Sequence, residues 1–454
     1  MQLTPIHQIL RKLHDGQVRS RDLSQACLEA IRDTAGQGEL TFTRVYAPPG
    51  SPTNGLLSGL PISIKDLFDV AGEPTTAGSL LLKDATPAPS DAVIVQRLKN
   101  AGAIVMGKTN MTEFAFSGLG LNPHYGTPRN PFDRANARIP GGSSSGAAIS
   151  VTDGMSYAAI GTDTGGSVRI PAALCGLTGF KPTARRIPLD GTVPLSSSLD
   201  SIGPLAPTVA CCELLDAVMS DETYVPIDSP PISKLRLAVL QGYVLDGLVP
   251  EVTQAFENAL NLFSRQGARI ENVDFPALSQ ILSVNANGGL SAAESFTWHQ
   301  PCLDKRTKEY DPRVLSRILR GRNISVEEYR NLIAARKQII SAAEIAFHGY
   351  DAVLLPTTPR IAPHISDLIS DDEAYFDANA AMLRNPSVFN FLDGTALSIP
   401  CHLPGEAPVG LMIAGLGMWD KKIISVGKTL EAALASAGHA THCLGSAAFE
   451  QTTK

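Results

Sequence analysis

Lysine and serine are the residues in this sequence whose types and setting suit covalent chemistry, and that chemistry is acyl transfer without histidine. A serine hydroxyl is a poor nucleophile until a base takes its proton, and a lysine is such a base only when neutral. Burial in a sheet penalises the charged amine and lowers its pKa, while hydrogen bonds to hydroxyls hold the neutral amine in place. Lys65 meets that requirement, because Leu60-Pro-Ile-Ser-Ile-Lys-Asp-Leu-Phe-Asp-Val70 alternates like a strand with the lysine in its middle. Without other support, an edge-strand lysine facing water would be the commoner arrangement. Ser167 follows Thr164-Gly165-Gly166, a turn without bulky side chains that can aim successive backbone N–H groups at one spot. Such a nest at a helix start stabilises the negative oxygen of a tetrahedral intermediate. A plain Gly-Gly turn with a capping serine is the ordinary alternative.

Three other patterns are set aside on context. Gly102-Ala-Ile-Val-Met-Gly-Lys-Thr109 fits the phosphate-loop expression, but its four intervening residues are apolar and read as a strand rather than as free amides before a helix. Gly142-Ser-Ser-Ser-Gly146 fits the nucleophile elbow centred on Ser144, yet Arg129 to Pro140 contains Pro, Asn, Asp and Arg where the entering strand should be. His439, His442 and Cys443 mimic a metal site, but they follow Gly438 near the end of the chain, where a solvated tail is expected. No metal site is predicted.

The elements that must position Lys65 and the serines follow from periodicity. Thr4 to His14 and Ser20 to Ile31, the second from a Ser cap, read as helices with one apolar face. Asp91 to Asn100 reads as a helix ended by Gly102, and Ala103 to Met106 as a buried strand. Residues 117 to 146 form a long Gly-, Asn-, Pro- and Ser-rich stretch of the kind that is usually functional, with a helix starting at Ala147 to Val151. A strand at Tyr157 to Ile160 enters the glycine-dense turn at 161 to 169, and a short helix runs on through Leu174. Strands near Leu235 to Leu240, Ala268 to Val273 and Ala352 to Leu355 alternate with helices near Val252 to Ser264 and Val326 to Phe347. That is the βα pattern of a sheet covered on both faces. A strand at Val409 to Ala414 and a helix from Lys421 to Leu434 close the pattern, while Gln280 to Asn323 reads as a helical excursion roofing a pocket.

Composition narrows the function classes. A chain of 454 residues with 44% hydrophobic and 6% aromatic residues suits a globular α/β protein filled by aliphatic side chains. The net charge of -6 leaves no excess positive field for a phosphate backbone, so nucleic acid is not the expected partner and a small molecule is. Seven scattered cysteines without a C-x-x-C pair predict reduced, cytoplasmic thiols. The polar residues among Met1 to Asp15 leave no signal-peptide core, and no apolar run approaches spanning length, so no membrane is expected.

Pro140-Gly-Gly-Ser-Ser-Ser-Gly146 followed by Gly161-Thr-Asp-Thr-Gly-Gly-Ser-Val-Arg169 resembles the hallmark of the amidase signature family. The separation of Ser143 and Ser167, 167 minus 143 or 24 positions, is that family's spacing. Ile64-Lys65-Asp66, Gly107 to Phe114, Gly179 to Thr183 and Ser198 to Pro204 are similar to family sequence as well. The similarity is dense from about 58 to 208 and fainter later, where Ala396 to Pro400 and Pro408 to Gly415 look like the family's last sheet elements.

The resemblance implies one α/β/α domain over residues 1–454 with a large mixed, twisted central sheet, and a variable helical substrate-loop region at about 280–345. It makes Ser167 the nucleophile, Lys65 the ultimate base and Ser143 the bridging hydroxyl, which also faces substrate after a cis Gly142–Ser143 peptide. The amides of Thr164, Gly165, Gly166 and Ser167 would form the oxyanion hole, and Asp163 and Arg169 would support the loop. No cofactor is implied. Ala115, Phe116 and Leu119 are expected to line the substrate pocket, and their apolar character hints at a hydrophobic or aryl amide, with core packing the alternative for each. The expected function is a standalone amidase acting on a carboxamide or related C–N bond, with esters, ureas and carbamates (urethanes) left open and a homodimer allowed. A second reading is the ammonia-producing subunit of a tRNA-dependent amidotransferase, but such relatives usually carry Gln after the signature arginine, where this chain has Ile170. A nucleotide-binding protein built on residues 102 to 109 is the third.

Overall fold

The computed structural model describes residues 3–48 and 53–441, and in it eleven strands form one sheet. They are β1 (Phe42–Val45), β2 (Pro61–Lys65), β3 (Ile104–Thr109), β4 (Ala159–Thr162), β5 (Thr178–Lys181), β6 (Ile202–Ala206), β7 (Arg236–Leu240), β8 (Arg269–Val273), β9 (Ala352–Pro356), β10 (Thr395–Pro400) and β11 (Gly410–Gly415). Their order across the sheet is β1-β3-β2-β4-β6-β5-β10-β11-β9-β7-β8. Parallel pairing of β2 with β3 and β4, and of β7 with β8 and β9, is joined by antiparallel pairs through β6, β5, β10 and β11. This is the mixed α/β sheet that the resemblance implied.

Strand alternation sends side chains to two separate cores. Leu237, Val239, Leu354, Leu411 and Ile413 pack in one apolar cluster, while Ala238, Leu240, Val353, Leu355, Met412 and Ala414 pack in another. Both faces of the sheet are therefore covered by helices, among them Pro250–Arg265 and Asp420–Ser436 against the first cluster and Val326–Ala346 against the second.

Several boundaries differ from the sequence reading. The strand expected from Leu60 to Val70 ends at Lys65, because the N–H groups of Leu67 and Phe68 both turn back to the Lys65 carbonyl; the lysine closes a strand instead of sitting inside one. Ser20 is the first residue of its helix, not its cap. Residues 104–109 are a buried strand, which removes the phosphate-loop geometry. β5 and β6 were not anticipated, since Gly179, Gly203 and Pro204 weaken the strand signal. His439 is buried and its Nδ1 lies 2.7 Å from the Cys401 carbonyl, so it is not a solvated tail; His442 and Cys443 lie outside the described residues. Among the described residues no helix is long and apolar enough to cross a membrane. The excursion after residue 280 forms Leu278–Val284, Gly289–Leu303 and Pro312–Arg320, all of which contribute to one cavity.

The helix Ser145–Thr152 begins directly after the serine block and packs so closely that a Cβ on Gly146 would meet Thr41 O at 2.4 Å and Asn110 O at 2.7 Å. Both obstacles are backbone. Gly146→Ala is therefore expected to lower stability by about 1–3 kcal/mol, read as a lower urea midpoint, and to displace the serine block enough to lose activity as well. An alanine variant as stable as the parent would show that the helix start is free to shift.

Candidate active site

β2 and β4 are parallel neighbours, with Ile64 opposite Ile160, and their chains leave the sheet at the same end. Lys65 and Thr162, their last residues, therefore stand together. Lys65 Nζ donates to Ser143 Oγ at 2.7 Å and to Thr162 Oγ1 at 2.8 Å. Its side chain is among the largest that the fold buries completely. Burial lowers its pKa from 10.5 to about 7, against the upward pull of Asp200 and Asp163.

Ser143 follows a cis Gly142–Ser143 peptide bond, as the resemblance implied. Its carbonyl accepts from Thr112 N–H at 3.0 Å, and the next residue, Ser144, donates its N–H to the Ser167 carbonyl at 3.3 Å. Two chain segments far apart in sequence are thus stitched together one residue from the Lys65 partner. Ser144 itself is fully buried, with Oγ directed to the Thr162 carbonyl at 3.4 Å.

The turn bearing Ser167 is built around the Asp163 carboxylate. It accepts from Gly166 N–H at 2.8 Å, from Val168 N–H at 3.2 Å, from Arg169 Nε and Nη2 at 3.0 and 2.8 Å, and from Asn390 Nδ2 at 2.9 Å. Burial works against its charge, yet the Arg169 guanidinium overcomes that and holds the carboxyl well below the usual carboxylate range. Gly166 has φ +126°, and a Cβ there would lie 2.6 Å from Pro386, so the turn admits only glycine. Because the Gly166 amide is committed to Asp163, it does not join the nest expected from sequence. The N–H groups of Thr164, Gly165 and Ser167 donate to no acceptor among the described residues.

Thr164, Gly165 and Ser167 open onto a cavity of about 680 Å³. Ala115 and Phe116 line it and are also packed into the main core. Leu119 does not line it; it lies in a separate apolar cluster with Leu121, Ile139, Ile170 and Leu174. Phe114 and Ala115 take positive φ values of 49° and 58°, so the chain rotates out of any simple periodicity before Leu119.

Three site residues were not singled out from sequence. Thr162 lies inside the second glycine block, but its contact with Lys65 follows from strand pairing. Asp200 is buried and accepts from Thr164 Oγ1 at 2.5 Å and from the amides of Leu195 and Ser196 at 2.9 and 3.0 Å; burial raises its pKa to about 6. Its signal was a lone carboxylate in the Ser198 to Pro204 block. Asn390 comes from the weakly patterned C-terminal half and carried no signal.

Comparison with known proteins identifies the family and the fold. A match to the Amidase family covers residues 20–424. A 2-amino-5-chloromuconic acid deaminase of Comamonas testosteroni is 36% identical over 85% of this chain and 84% of its own length. A glutamyl-tRNA(Gln) amidotransferase subunit of Streptococcus pneumoniae is 31% identical over 94% of this chain and 95% of its own. The crystal structure of an amidase superposes with a TM-score of 0.83 at 30% identity, covering 94% of this chain and 99% of that one. The chain therefore belongs to the amidase family, the amidase signature enzymes, and is a hydrolase of carbon–nitrogen bonds other than peptide bonds.

Proposed function

We propose that the cavity binds a small carboxamide or closely related C–N substrate, that Ser167 attacks its carbonyl carbon, and that Ser143 and Lys65 move the proton. The observation that carries this reading is the buried Lys65 amine held by two hydroxyls. Once neutral, its lone pair takes the Ser143 proton while Ser143 Oγ takes that of Ser167. The new Ser167–carbon bond leaves a negative oxygen facing the free amides of Thr164, Gly165 and Ser167. As the C–N bond breaks, the relay returns the proton to the departing nitrogen. Water then attacks the acyl-enzyme by the same route, releasing the acid and restoring Ser167.

Ammonia as the departing group is supported by the deaminase named among the relatives. The standalone reading is favoured over an amidotransferase component by Ile170, which is fully buried among apolar side chains. A glutamine there would bury an amide without a partner. The unbridged cysteines among the described residues suit a reducing, cytoplasmic setting.

Ser167→Ala is expected to lose at least about 10³-fold in turnover and Lys65→Ala about 10²- to 10⁴-fold, measured as amide hydrolysis by purified protein. Full turnover by the alanine variant at 167 would remove the nucleophile. Since Lys65 acts as a neutral amine with a pKa of about 7, kcat/KM should rise about tenfold per pH unit up to that value and then level. A profile flat from about pH 5 to 9 would exclude it as the base. Asp163→Asn should cost about 3–5 kcal/mol by leaving Arg169 without its buried counter-charge. The depressed Asp163 pKa means that this stabilisation is present at neutral pH and fades in acid below the ordinary carboxylate value of 3.8. Chemical denaturation at two pH values reads both.

A further inference from the structure

The helix Pro312–Arg320 lays Ser316, Arg317 and Arg320 against the cavity. Its start is fixed to the neighbouring turn that carries Ala115 and Phe116: the Asp311 carboxylate caps it by accepting from Arg313 N–H at 2.9 Å, and Asp311 N–H donates to the buried Glu113 carboxylate at 2.7 Å. Glu113 immediately precedes the segment carrying Ala115 and Phe116. Helix and turn are thus held at one setting.

The charged residues of the cavity lining are Arg317, Arg320 and Arg384, with no Asp or Glu among the lining residues. Two of the three are engaged elsewhere. Arg320 Nη2 donates to the Ala286 carbonyl at 2.6 Å, and Arg384 Nε donates to Asn385 Oδ1 at 3.1 Å. Arg317 differs. It forms no ion pair and donates to no acceptor among the described residues, and its Nε is closed off from solvent. Its guanidinium sits 4.7 Å from the centre of the Phe116 ring. Burial lowers its pKa to about 10, so it remains charged near neutrality. A half-buried guanidinium at a cavity wall, with one N–H closed off from solvent and none donating to an acceptor among the described residues, calls for a partner from outside the chain.

We propose that Arg317 is a specificity-determining residue that receives a carboxylate of the substrate, so that preferred substrates are amides whose acyl part carries a second, ionised acid group. This rests on the reading of Ser167 as nucleophile in the same cavity. With ammonia as the leaving group, the rest of the substrate is its acyl part, and the acid must be there. One unengaged guanidinium balances one charge, and its planar fork matches a carboxylate bidentately. The Phe116 ring packs 4.7 Å from the centre of that fork and helps to hold it at the cavity wall. The product is then a dicarboxylate, which should itself occupy the site.

The test compares two matched amide pairs, 4-carbamoylbenzoate with 4-methylbenzamide and glutaramate with pentanamide. Wild type is expected to favour the acid member by about 10- to 100-fold in kcat/KM, chiefly through KM. Arg317→Gln should reduce that ratio at least tenfold, and Arg317→Lys, which keeps charge but not the fork, should fall between. Terephthalate and glutarate, titrated calorimetrically into Ser167→Ala, should bind more weakly by a similar factor when Arg317→Gln is added. An acid-to-neutral ratio unchanged by Arg317→Gln, in a protein that melts within a few degrees of wild type, would overturn the proposal. Should Arg317→Gln unfold, the Arg317→Lys comparison decides in the same way. If no amide is turned over while dicarboxylate binding still depends on Arg317, the hydrolytic reading fails and the anion subsite stands. If amides are cleaved without preference for the acid member and dicarboxylates bind both proteins equally, the subsite fails and the hydrolase stands.

Discussion

An amine sealed at the end of a sheet strand, with hydroxyls for hydrogen-bond partners, is the constraint around which the active site is arranged. A carboxylate in direct contact would keep Lys65 protonated by Coulomb attraction. Instead Asp163 and Asp200 act on it only through space, and their pull is outweighed by burial. Parallel pairing of β2 and β4 brings the Thr162 hydroxyl to the amine, and the helix start at Ser145 brings Ser143. The sheet supplies the apolar surroundings and the position, and two loops supply the oxygen atoms.

The negative charge that such a site must avoid near the lysine is placed one step away and neutralised there. Asp163 is enclosed by Arg169, Asn390 and backbone amides, so its full charge is compensated while its geometry shapes the turn at Gly166. Asp200 performs a related task for Thr164, whose amide is one of the free donors. Charge is thus used to hold backbone, and neutral hydroxyls are used where a proton has to move.

Much of this was legible in the sequence, but unevenly. Long periodic segments such as Pro250–Arg265 and Asp420–Ser436 declare themselves through side-chain spacing. β5 and β6 do not, because glycine and proline occupy positions where alternation would be read. Ser143 and Ser167 stand out because glycine-dense text marks turns with little else to explain them, and Lys65 stands out as a lysine inside a strand-like apolar run. Thr162, Asp200 and Asn390 are ordinary residues whose significance arises from pairing and burial, which sequence spacing does not encode. Leu119 was misplaced for a backbone reason, since two successive positive φ values redirect the chain just before it.

Asn390 has one more implication, for the order in which the polypeptide is made. Its side-chain amide clasps both the carboxylate and the carbonyl of Asp163, at 2.9 and 3.0 Å, across 227 positions of sequence. During synthesis from the N-terminus, Lys65, Ser143 and Ser167 all emerge from the ribosome long before this clasp exists. A nascent or prematurely terminated chain therefore holds every group of the relay without the brace that steadies the turn, which is made only as roughly the last seventh of the sequence is added.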